Sequence, residues 1–145
     1  MPRYLLLSAL LLAASPAFGA GYEAELDPAP FDATTRADVI GSIGNATATL
    51  DGNTLTVKGT FANLKSPATT GSFRIGLAKG VPGDAIGSLT VEHAKQGAFS
   101  GIIKLTPAQV AALNRQSLYV RIDSEKSPDG NLQGWLEEAG KNNVS

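Results

Sequence analysis

Leu118-Tyr119-Val120-Arg121-Ile122-Asp123, then Ser127-Pro128-Asp129-Gly130, then Asn131-Leu132-Gln133-Gly134-Trp135-Leu136 is the stretch that decides the fold. It reads as strand, tight turn, strand. In the first strand Leu118, Val120 and Ile122 share one face and Tyr119, Arg121 and Asp123 the other, because side chains alternate along a strand; this predicts a half-buried strand. Ser, Pro and Gly at the first, second and fourth turn positions suit a type I turn.

Working outward, the same alternation recurs. Tyr22, Ala24 and Leu26 alternate with Glu23 and Glu25 in a first strand that Pro28 and Pro30 terminate, since proline donates no ladder hydrogen bond. Ala46–Leu50 and Thr54–Phe61 flank Asp51-Gly52-Asn53, a hairpin signal, because glycine accepts positive φ without steric cost. Leu55, Val57, Gly59 and Phe61 fall on one face of the second of these strands. Lys65–Gly71 reads as a loop, Ser72–Leu77 as a short strand with Phe73 and Ile75 inward, and Lys79–Asp84 as a Gly/Pro-rich loop; Ile86–Glu92 and Ala98–Leu105 read as two more strands. Thr106-Pro107-Ala108-Gln109 carries the signature of a helix start, with a capping Thr, Pro at the first helical position and Gln three residues after the cap. Val110 and Leu113 would dock that helix on the sheet. About seven short strands and one short helix (106–115) predict an all-β fold, either an immunoglobulin-like or Greek-key β-sandwich or a partly closed barrel.

Composition narrows the classes. The chain has 145 residues, enough for one ordinary domain, and 12 basic against 13 acidic residues. So balanced a charge provides no field for nucleic acid or an anionic membrane. Arg3, the largely apolar ten-residue run Leu5–Ala14 and the small-x-small run Ala17-Phe18-Gly19 make residues 1–20 a secretory signal peptide, cut after Gly19 or after Ala20. So short a run cannot span a bilayer as a lone helix. The exported chain would retain 11 basic and 13 acidic residues, no transmembrane segment, a folded part over 21–138 and a polar, flexible tail over 139–145. There is no cysteine, so no disulfide supports the fold and the core must do so alone.

Candidate chemistry is sparse. The one histidine, His93, sits beside Glu92, and neighbours on a strand point to opposite faces and cannot chelate together. Asp123, Glu125, Ser127 and Asp129 are spaced by two, but the glycine comes late and Gly134 stands where a calcium loop has its bidentate Glu. They read as a polar hairpin rim. Nucleophilic catalysis has neither a cysteine nor a Gly-x-Ser-x-Gly elbow; Gly97-Ala98-Phe99-Ser100-Gly101 lacks the spacing and reads as a strand. Trp135 is opposite in parity to Leu132, Gly134 and Leu136, which puts it on the outer face as a ligand-stacking surface or an aromatic anchor. Asn45-Ala46-Thr47 and Asn143-Val144-Ser145 are glycosylation sequons, relevant only in a eukaryotic secretory route.

Taken together, Gly97–Gly101, Leu105–Leu113, Leu118–Val120 and Ser127–Leu136 resemble the CHRD domain family, named for its repeats in chordin and found in small exported bacterial proteins. The resemblance covers nearly all of the exported chain. It implies an immunoglobulin-like or barrel-like all-β fold and no settled activity. It also places Arg74 and Asp123 where the family carries histidines, and Gln133 where it carries an arginine. The expectation is therefore an exported, non-catalytic binding domain without cofactor or metal. Its contact surface would be Arg74, Tyr119, Arg121, Asp123 and Gln133, facing an unidentified protein or an extracellular or periplasmic ligand, with Arg74 and Asp123 paired across strands. The rival is a periplasmic metal-binding protein or enzyme using a carboxylate site around Asp123; a third possibility is a structural extracellular protein.

Overall fold

The computed structural model describes residues 20–139. Residues 1–19 of the expected signal peptide and most of the expected tail lie outside these residues; Ala20 is inside and pairs with Leu50, and Ala139 is inside, its amide donating to Gly21 O (2.9 Å).

Among the described residues, nine strands form one sheet: β1 (Ala20–Pro28), β2 (Ile43–Asp51), β3 (Thr54–Ala62), β4 (Ala68–Ile75), β5 (Asp84–Val91), β6 (Gly97–Lys104), β7 (Leu118–Ser124), β8 (Leu132–Trp135) and β9 (Glu137–Glu138). The order β2-β3-β6-β5-β4-β7-β8-β1 closes through an antiparallel β1–β2 pairing, giving an eight-stranded barrel with β9 as an added strand beside β1. Of the two architectures left open above, the barrel is the one formed, but a flattened one. β1 spends Ala20–Leu26 on β2 and only Asp27 and Pro28 on β8. β5 spends Asp84–Leu89 on β4 and only Thr90 and Val91 on β6. Strands that change partners in this way make the corners between two sheet halves.

The hairpins follow from local chemistry. Gly52-Asn53 joins β2 to β3, with Asp51 opposite Thr54 and Gly52 at φ +65°, a conformation that glycine adopts without steric cost. The turn at Ser127–Gly130 is closed by the Gly130 amide donating to Ser127 O (3.2 Å). The helix expected at 106–115 is α2 (Pro107–Asn114), preceded by the short α1 (Arg36–Val39) in a stretch that gave no periodic signal. The capping box of α2 is complete: Gln109 N donates to Thr106 Oγ1 (3.2 Å) and Thr106 N to Gln109 Oε1 (3.0 Å). Leu113 is buried, and the Tyr22 hydroxyl donates to Asn114 Oδ1 (2.7 Å), tying the helix end to β1. Burial, and then the Glu138 carboxylate, push the Tyr22 hydroxyl above its usual 10.

The inward faces match the alternation: Tyr22, Ala24, Leu26, Leu55, Val57, Phe61, Phe73, Phe99, Leu118, Val120 and Ile122 are all buried. Several boundaries differ: β2 begins at Ile43, not Ala46, and β5 at Asp84, not Ile86. Ala68–Gly71, read as loop, opens β4, and its pairing with β7 is interrupted by a bulge between Ala68 and Gly71. β9, only two residues long, is too short to leave a pattern.

A polar cluster lies inside. Asn131 is fully buried; its Oδ1 accepts from Ser124 Oγ (2.7 Å), its Nδ2 donates to Ser42 Oγ (3.0 Å), and its backbone O accepts from Ala29 N (2.9 Å). It pins the irregular segment 29–42 to the β7–β8 hairpin. Asn131→Ala leaves both buried hydroxyls short of a partner, and a group in that state costs about 1–3 kcal/mol. Urea unfolding should therefore show a lower midpoint with an unchanged slope.

Ahead of α1, Asp32 Oδ1 accepts from the hydroxyl and amide of Thr34 (2.7 and 2.8 Å) and the amide and hydroxyl of Thr35 (3.0 and 3.2 Å). These bonds, Thr34's first, lower the carboxyl from 3.8 to about 2. The folded pKa lies below the unfolded one, so the stabilisation is present above 3.8 and lost as pH falls through about 2. The stability gap between wild type and Asp32→Asn should close over that acid window in thermal unfolding; a gap that stays constant would contradict the assignment.

Candidate functional site

The five residues singled out from the sequence fall on one outward region, the β4-β7-β8 face. The antiparallel register sets Arg74 opposite Tyr119 and Tyr119 opposite Trp135; one step along, Ser72 faces Arg121 and Arg121 faces Gln133. The structure thus brings together residues more than forty positions apart in sequence.

The outer half of β7 is nonetheless not a plain solvated face. Tyr119 is 1 % exposed. Its ring stacks on Trp135 with centroids 4.4 Å apart and planes 26° apart, an arrangement worth about 0.5–1.5 kcal/mol beyond burial. Its hydroxyl accepts from Gly83 N (2.9 Å) and donates to Gly83 O (3.2 Å), so the loop between β4 and β5 folds across it. Lys79 of that loop reaches Glu137 (2.7 Å) on the far side of the stack. Tyr119 is therefore corrected from contact residue to buried support, and Trp135 is an anchor whose indole N–H is enclosed without a hydrogen-bond partner. Beside it Glu25, Asp27, Lys79, Gln133 and Glu137 border a cleft of about 290 Å³.

Asp123 is also largely enclosed. Arg121 Nε donates to its Oδ1 (2.8 Å), Arg121 Nη2 to its Oδ2 (3.4 Å), and Thr70 Oγ1 to Oδ2 (3.1 Å). The expected Arg74–Asp123 pair does not form. Register places Arg74 against Tyr119, four positions along β7 from Asp123, and its guanidinium is held by Ser72 Oγ (2.8 Å) and Gly83 O (3.1 Å). Two residues apart on the same strand, Arg121 and Asp123 share a face, and the ion pair that forms is theirs. Glu125 Oε2 lies 3.2 Å from His93 Nε2, both well exposed, so Glu125 turns away from Asp123. Among the described residues no three His, Asp or Glu side chains are grouped to hold a metal ion, and no helix is long and apolar enough to cross a membrane.

The model of the CHRD domain matches residues 22–136 of this chain. It belongs to the CHRD domain family. No curated protein and no solved structure matches it. In this CHRD domain the matched span runs from the inward Tyr22 of β1 to the buried Leu136 just after β8, which is the closed barrel but for Ala20 and Gly21 at the start of β1.

Arg121→Ala strips a carboxylate that is 11 % exposed of its main partner. A charged hydrogen bond is worth about 1.5–3 kcal/mol, and a loss of that order is expected in chemical denaturation. The Arg121→Ala, Asp123→Ala double variant should lose less than the two singles together, because the pair is one unit. Strict additivity would contradict the contact.

Proposed function

We propose that this CHRD domain is an exported, non-catalytic interaction module, periplasmic or secreted, that engages a protein partner through the β4-β7-β8 face. One observation carries the reading. Donors on that face remain unbonded to other described residues: Arg74 Nη2, Arg121 Nη1 and the Gln133 side-chain amide. All three side chains are half-buried. Arg121 and Gln133 stand directly opposite each other and Arg74 lies one rung along, opposite Tyr119, a fixed cluster suited to carboxylates or strand carbonyls on a partner. Asp123 holds Arg121 in place. Export rests on the leader-like residues 1–20, with cleavage after Gly19 or after Ala20.

The test uses the exported protein as bait in its native exported fraction. Arg74→Ala combined with Gln133→Ala should abolish recovery of the partner while melting within a few degrees of wild type. An unchanged recovery profile would remove this face from the proposal. Mass spectrometry of the exported chain should find Ala20 or Gly21 at its N-terminus; an uncut Met1 form would remove export by cleavage.

A further inference from the structure

On the other side of the barrel, the outward faces of β2, β3, β6 and β5 enclose a groove of about 750 Å³, within the roughly 300–1,000 Å³ of typical ligand sites. A Cβ on Gly59 would collide with the Asn45 carbonyl oxygen and the Phe99 ring, so the backbones of β2 and β3 approach closely only because residue 59 is glycine. Gly59 and Phe99 both line the groove.

The register lays two rows of side chains across this groove. One runs Thr47, Lys58, Ser100, Thr90; the other runs Asn45, Thr60, Ala98. All seven are exposed. None of the six polar ones makes a side-chain hydrogen bond or ion pair with another described residue. Hydroxyls and a carboxamide both donate and accept, so the lining matches a ligand that does the same along its length. The threonine methyls and Ala98 supply apolar ground between them. Lys58 stands in the centre with Thr47 and Ser100 as cross-strand neighbours and no acid beside it. Acids stand only at the ends. Glu23 and Glu25 of β1 lie across β2 from Thr47 and Asn45, and Glu92 is held by the Ala98 amide (2.6 Å). Charge complementarity therefore admits one anionic group at the centre and neutral groups on either side.

We propose that this groove binds an extended glycan in which a carboxylate recurs between neutral sugars, the carboxylate on Lys58 and the sugar hydroxyls on Thr47, Thr60, Thr90, Ser100 and Asn45. A row of hydroxyls recognises a polyol, and a lone ammonium among them recognises its acid group. The site lies apart from the β4-β7-β8 face, and neither reading depends on the other.

The probe is a hexasaccharide alternating glucuronate and N-acetylglucosamine, with a neutral N-acetylglucosamine hexamer as control, titrated into the exported chain and followed by amide NMR shifts. The expected result is saturable shifts at Thr47, Lys58, Thr90 and Ser100, at least tenfold weaker binding with Lys58→Ala at an unchanged melting temperature, and weaker binding in high salt. Lys58→Arg should restore most of the affinity. Absence of shifts at millimolar probe, shifts centred on Arg121 and Gln133, or equal binding of the neutral hexamer would each overturn the proposal. So would sedimentation showing that this face is covered by a second copy.

Discussion

Closure of the sheet by β1 is the constraint on which the molecule depends. With no cysteine to bridge the chain, an open sheet of this size would leave two long edges. β1 removes them by pairing with β2 along seven residues and then crossing to β8 for two more. β5 makes the matching corner on the far side. Each corner is narrow, so the barrel is flattened. Its interior is filled by side chains such as Phe73, Leu26 and Leu55, with no channel implied.

Flattening has consequences outside as well as inside. Where the sheet halves meet, loops lie down on the outer faces instead of projecting from the ends. The β4–β5 loop covers Tyr119 and is held by Gly83 and Lys79. Segment 29–42 is drawn in by Asn131 and Ser42. These polar contacts do not supply bulk stability, which comes from apolar burial. They decide which surface is left open, because a buried amide or hydroxyl tolerates few alternative arrangements.

Two outer faces emerge, of different chemistry. On β4-β7-β8 Arg121 is engaged by Asp123 and Arg74 by Ser72 and Gly83, leaving a few guanidinium and amide donors. On β2-β3-β6-β5 the polar groups are uncommitted and mostly uncharged, in a groove. The CHRD match accounts for the scaffold that carries both faces and says nothing of either ligand.

The sequence by itself determined the elements whose signals are local. The Asp51–Asn53 hairpin, the Thr106–Gln109 capping box, the Ser127–Gly130 turn and the inward alternation of β1, β3 and β7 all follow from contacts within a few residues. It also contained the Arg121–Asp123 pairing, two positions apart on one face. Only tertiary structure decided between sandwich and barrel, because the partner switch within β1 leaves no mark in its own composition. Only tertiary structure could enclose Tyr119, bring Thr70 onto Asp123, and bring the Asn45 carbonyl and the Phe99 ring close to Gly59. Each of these requires groups from strands or loops distant in the chain to arrive at one place, and alternation along a single strand reports which side a residue faces but not what comes to lie upon it.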